Sequence, residues 1–118
     1  MKGTLPDWLR LWFQSALISE VYPQLRAVAV AFSQANELTV RFYLDRTPTD
    51  FDYESLSMVV SEVLSNTSSS SEIAAVTEEC VYSDQRLSDI DRLDGLVFAR
   101  REYEIQSNPS DSPTYFNT

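Results

Sequence analysis

Two short stretches with strict two-residue alternation decide most of what this chain can become. In the first, Val28, Val30 and Phe32 alternate with Ala27, Ala29 and Ala31; in the second, Leu38, Val40, Phe42 and Leu44 alternate with Thr39, Arg41, Tyr43 and Asp45. A period of two sends successive side chains to opposite faces, so each stretch reads as a half-buried strand. The polar turn Ser33-Gln34-Ala35-Asn36 joins them as a hairpin. One face of the first strand is bulky and the other is lined by alanine, which leaves room for a helix to approach closely over the alanines.

Helical periodicity flanks the hairpin. Leu5, Trp8, Leu9, Trp12, Phe13, Ala16 and Leu17 share one stripe, predicting a helix from residue 5 to about 20 with Pro6 in its first turn and Tyr22-Pro23 ending it. Leu11 and Ile18, seven apart, lie off that stripe and read as a second packed side or as a dimer contact. A second helix starts at Thr49, an N-cap with Asp52 three residues on as a capping-box variant. Its buried stripe is Tyr53, Leu56, Val59, Val60, Val63 and Leu64, and it dissolves in a serine-rich run from Ser65. Strands are predicted around Ile73 to Tyr82 and Leu96 to Tyr103, with Gly95 as the natural turn residue of the long connection between them.

The order α-β-β-α-β-β predicts an α+β fold: a mainly antiparallel four-stranded sheet with two helices packed on one face. A chain of 118 residues suits one domain, here residues 1–105, and residues 106–118 read as a disordered polar tail, with docking of Tyr115 and Phe116 as the alternative for those two residues.

Composition removes several classes of chemistry. There is no histidine, which excludes Ser/His/Asp and Cys/His nucleophile arrangements and histidine-containing zinc sites. The single cysteine, Cys80, cannot close an internal disulfide and reads as a small buried hydrophobe in a reducing compartment. Glu78-Glu79-Cys80 mixes hard carboxylates with one soft thiolate, a poor metal set. Asp89-x-Asp91-x-x-Asp94-Gly95 imitates a calcium loop, yet its spacing is off by one and no glutamate closes it. With only Gly3 and Gly95 there is no phosphate loop. No cofactor or metal is expected, and no catalytic residue. A carboxylate-based enzyme ranks third among the functional readings. No stretch is apolar and long enough for a signal peptide or a membrane span, so the expectation is a cytoplasmic protein.

Charge is the remaining signal. Eighteen carboxylates against nine cations give a formal net charge of −9, which argues against direct nucleic-acid binding. Residues 45–94 hold twelve of those carboxylates and three of the cations, so this stretch carries the whole imbalance. A right-handed crossover through the second helix would set strand three parallel to strand two and bring the acidic helix start and the acidic connection to one end of the sheet. The candidate partner-binding set is therefore Asp50, Phe51, Glu54, Met58, Glu62, Asp84, Asp89, Asp91 and Asp94, with Phe51 and Met58 as apolar anchors inside an acidic rim. Phe51 folded back over the helix start as a staple is the alternative for that residue.

Four stretches are similar in pattern to a known family: Glu20-Val21-Tyr22-Pro23-x-Leu25-Arg26-Ala27, Phe42-Tyr43-Leu44-Asp45-Arg46-x-Pro48, Glu78-Glu79-Cys80, and Leu93-Asp94-Gly95-Leu96-Val97-Phe98-Ala99-Arg100-Arg101-Glu102. Together, over about residues 15–104, they resemble small immunity proteins encoded beside bacterial toxins of contact-dependent growth inhibition and related polymorphic toxin systems. The resemblance implies a cytoplasmic antitoxin that binds and neutralises one cognate toxin C-terminal domain, often a nuclease with a basic surface. It carries over no residue roles. An acidic adaptor or subunit of a larger assembly is the alternative, and a homodimer is compatible with either.

Overall fold

The alternating stretches form the middle of the sheet. The computed structural model describes residues 5–66 and 73–102. Its elements run α1 (Asp7–Leu17), β1 (Leu25–Phe32), β2 (Glu37–Leu44), α2 (Asp50–Leu64), β3 (Ala75–Tyr82) and β4 (Gly95–Ala99), the order expected. The hairpin turn uses Asn36 in the left-handed region at φ 62°, a conformation asparagine tolerates because its short side chain bonds locally.

The sheet order is β3-β2-β1-β4. It is mixed, not antiparallel throughout. β1 runs antiparallel to both β2 and β4, whereas β2 and β3 run parallel in register from Glu37↔Ala75 to Leu44↔Tyr82. The cause is α2: a helix between two strands returns the chain to the end where it began, and a parallel pair needs such a crossover.

Packing follows the two faces of β1. Val28, Val30, Val40 and Phe42 join Leu9, Phe13 and Leu17 of α1 and Leu56, Val59 and Val63 of α2 in one core cluster. The alanine face is not covered by a helix. Ala27, Ala29 and Tyr43 pack against Ile90, with Leu87 and Leu93 beside it, so the connection between β3 and β4 crosses this side. Alanines let an irregular segment lie flat against the strands, and the apolar residues at positions 87, 90 and 93 supply its inner edge.

Other boundaries move for identifiable reasons. β4 ends at Ala99; Arg100 N still donates to the Arg26 carbonyl of β1 at 2.7 Å, and its side chain enters ion pairs with Asp45 and Glu102. Tyr103, the tail from Gln106 and the serine-rich run over 67–72 lie outside the described residues. Tyr53 and Leu64 are exposed, and α2 instead buries Asp52 and Ser55 with its apolar stripe. Trp8 is also part-exposed, stacked edge-on against Trp12 and Phe32. Gly95 closes the turn, donating its N–H to the Arg92 carbonyl at 2.9 Å, but the left-handed position within it is Leu93, at φ 56°. A leucine is held there because its side chain packs over the alanine face and Asp91 Oδ1 accepts its N–H at 2.9 Å. Gly95 serves a close approach, since a Cβ there would stand 3.0 Å from Arg10 Nη2 and 3.3 Å from Leu5 Cδ1.

Candidate functional site

Where the carboxylates sit depends first on which of them the fold consumes. Asp52, fully buried at the first turn of α2, accepts from Thr49 N at 2.7 Å and from Tyr22 Oη at 2.6 Å. Arg46 completes the site with two bonds, Nη1 at 2.8 Å and Nη2 at 3.0 Å. Burial works to raise the Asp52 pKa, but the bonds from Tyr22 and Thr49 and the Arg46 charge together hold it below the ordinary carboxylate range. The capping box expected from the sequence is present, and its carboxylate is also the centre of a buried network.

A second network closes the end of the sheet. Arg26, at the irregularity in the β1–β2 register, is buried and holds Glu102 through Nε at 2.9 Å and Nη2 at 2.8 Å, while its Nη1 donates to the Ser83 carbonyl. Arg100 bridges Glu102 and Asp45. The bond from Arg26 is the largest influence on Glu102; burial opposes it, Arg100 reinforces it, and the carboxyl is held low. A depressed folded-state pKa contributes stability that is complete above the unfolded value of about 4.3 and is lost as pH falls through the folded value. Glu102→Gln should therefore cost about 3 kcal/mol near neutrality by leaving the buried Arg26 short of its counter-charge. The deficit relative to wild type should shrink in urea titrations below about pH 4; a constant deficit would contradict this role.

Cys80 lies buried in β3. Burial, then the charges of Asp52 and Glu78, push its thiol pKa up to about 12, so it packs as a neutral side chain. Among the described residues no group of three Cys, Asp or Glu is arranged to hold a metal ion, and no helix is long and apolar enough to cross a membrane.

The nine candidate partner-binding residues divide into two sets. Asp50, Phe51, Glu54, Met58 and Glu62 all stand exposed on α2, with Phe51 at 54% and Met58 at 59%. Phe51 also packs its ring in a T-shaped contact with Tyr22, centroids 5.0 Å apart, so it is exposed yet held against the segment after α1. Asp84, Asp89, Asp91 and Asp94 lie on the connection, whose apolar residues cover the opposite side of the sheet. The two acidic clusters do not meet at one end.

Asp84 alone stays near the C-terminal ends of β2 and β3, beside Arg26 and Glu102. Asp94 accepts from Phe32 N at 2.8 Å, at the other end of β1, a strand length or ~25 Å away. The connection runs back along the sheet because Leu87, Ile90 and Leu93 recur every three residues and must be buried; that spacing was the available signal. Its carboxylates also have local duties: Asp89 lies 4.0 Å from Arg86, and Asp91 accepts from Leu93 N and lies 3.9 Å from Arg41.

On the outer face of α2 the charge is uncompensated, whereas buried Asp52 is paired with Arg46. From Thr47 to Gln85 there is no lysine or arginine and there are eight carboxylates: Asp50, Asp52, Glu54, Glu62, Glu72, Glu78, Glu79 and Asp84. Asp50, Glu54 and Glu62 enter none of the ion pairs among the described residues. The sequence did not point to the neighbouring contribution of α1 and the turn after it. Ser15, Ser19 and Glu20 join Met58 and Glu62 around a pocket of about 130 Å³, extending the acidic face across both helices.

Residues 6–102 match the profile of the family described as MafI2 immunity protein. The chain belongs to the MafI2 immunity protein family. The match spans most of its 118 residues and takes in every described element. Membership makes it a toxin-immunity protein, so the partner its surface must answer to is a cognate toxin. No curated protein is matched significantly. In this MafI2 immunity protein Asp50, Phe51, Glu54, Met58 and Glu62 stand exposed on α2.

Proposed function

We propose that the chain is a cytoplasmic inhibitor that binds the C-terminal domain of one cognate toxin and neutralises it without catalysis. In this reading the toxin belongs to a contact-dependent or related polymorphic system and presents a basic surface, as a nuclease does. The observation that carries the reading is the outer face of α2, where Asp50, Glu54 and Glu62 are exposed without ion-pair partners around Phe51 and Met58. An acidic rim around apolar anchors suits a basic partner, with the anchors giving affinity and the charges giving rate. Asp84, Asp89, Asp91 and Asp94 play the lesser part here, as rim or as props of the connection.

The test is the association rate of the purified toxin domain with wild type, with Glu54→Lys/Glu62→Lys and with Met58→Ala, across salt concentrations. The double reversal is expected to slow association at least about tenfold at low salt and to flatten its salt dependence. Met58→Ala should mainly speed dissociation. Association by the double variant that matches wild type at every salt concentration would remove α2 from the interface.

A further inference from the structure

The two edges of the sheet are finished differently. β4 has five residues and is covered from the side of α1: Arg10 Nη1 donates to the Leu96 carbonyl at 3.0 Å, and Leu5 stands against Gly95. β3 has eight residues and, among the described elements, pairs only with β2. Sheets ordinarily blunt or cover such an edge, because its outward N–H and C=O groups are a template for another strand.

One bond fixes which groups face outward. The Ser83 N–H donates to the Leu44 carbonyl at 3.0 Å, in step with the β2–β3 register. Backbone groups turn to alternate sides along a strand, so Thr77, Glu79 and Val81 also direct theirs at β2. Val76, Glu78, Cys80 and Tyr82 direct theirs away from the sheet. Tyr53 agrees with this: its hydroxyl, on α2, lies 3.5 Å from the Cys80 carbonyl, a contact so long that a backbone N–H would replace it with gain.

The flanks of this edge suit a partner. Tyr53 and Tyr82 are 45% and 53% exposed, and exposed tyrosines are what protein contacts use as anchors. Glu78 is exposed beside them and accepts from the Ser57 hydroxyl at 2.8 Å. Ser57 and Glu54 then continue the edge onto the acidic face of α2.

We infer that the β3 edge takes an extended segment of the cognate toxin as a fifth strand, with basic side chains of that segment beside Glu78 and Glu54. The inference rests on the toxin reading above and says how that contact is made. The shape of the edge selects the chemistry, since a row of donors and acceptors at every second residue is satisfied by another extended backbone. Charge selects its source. Glu78 and Glu79 stand at the centre of β3, so a second copy laid antiparallel along it would bring two acidic strand centres together. Like charges across strands repel, whereas lysine or arginine there attracts.

Amide hydrogen exchange of the full chain, free and in complex with the purified toxin domain, tests it. In the free chain the Glu79 and Val81 amides should exchange slowly and those of Glu78, Cys80 and Tyr82 fast, at every chain concentration. The complex should slow these three outward amides at least about tenfold. Glu78→Pro should weaken toxin binding at least about tenfold and move the thermal midpoint little, because that N–H points away from β2; Glu78→Gln, which keeps the N–H, should lose less. A complex whose outward amides exchange as in the free chain would overturn the inference and leave the toxin reading intact, as would wild-type affinity in Glu78→Pro. So would outward amides already slow in the free chain, or slowed as it is concentrated, since the edge would then be filled by the chain itself or by a second copy. Failure of the toxin domain to bind wild type at all would overturn the toxin reading, and this inference with it.

Discussion

Asp52→Ala should cost about 3–5 kcal/mol of folding stability and lower Tm by on the order of 10–20 °C. Few side chains of its size gather so much. It accepts from Thr49 N, Thr49 Oγ1 and Tyr22 Oη and takes both ends of the Arg46 guanidinium, with no surface left to water. Its loss removes a helix cap, itself worth ~0.5–2 kcal/mol, and leaves the Tyr22 hydroxyl and the Arg46 charge with poorer partners. Asp52→Asn keeps the shape and separates the two contributions, because an amide can still accept one bond but carries no charge for Arg46.

The pH dependence has a definite sign. With its folded pKa held below the unfolded value of about 3.9, the Asp52 contribution is complete above that value and is lost as pH falls through the folded one. Urea denaturation near neutrality reads the effect directly. A cost under about 1 kcal/mol for Asp52→Ala would mean that the network idles.

Phe42→Ala is the second large effect, again about 3–5 kcal/mol. Phe42 is fully buried in β2, opposite Val28 on one side and Cys80 on the other, beneath both helices. Its ring is the piece shared between the hairpin and the crossover, so truncation leaves a cavity bounded by a paired sheet that cannot collapse into it. The exposed Met58→Ala should fall within about 0.5 kcal/mol of wild type. Equal losses for the two variants would contradict this placement of the core.

The strands and helices were legible where one periodicity ruled. Val28, Val30 and Phe42 marked a buried face, and Thr49 with Asp52 marked a helix start that the structure reproduces with its reciprocal bond. What the sequence hid were relations between distant segments. Arg26 and Glu102 lie 76 residues apart, and neither stretch announces a buried ion pair. The connection from Ser83 looked like an acidic loop because its aspartates outnumber its apolar residues. The three that face inward, at positions 87, 90 and 93, decide its course along the alanine face.

The candidate surface was half legible for the same reason. Asp50, Phe51, Glu54, Met58 and Glu62 share a helix and so were grouped correctly on one exposed side. Glu20 and Ser19 reach that side only through the packing of α1 against α2, and Asp94 leaves it because the chain doubles back.

The central claim is that the acidic face of α2 neutralises a toxin by occupying it. The most direct measurement is a titration of the purified cognate toxin domain's activity with the purified chain. Activity should fall linearly and vanish near a roughly equimolar ratio, the toxin should be recovered chemically unchanged after the complex is dissociated, and Glu54→Lys/Glu62→Lys should shift the titration to large excess. Full toxin activity in the presence of excess wild-type chain, or inactivation at a small fraction of an equivalent with the toxin altered, would contradict it.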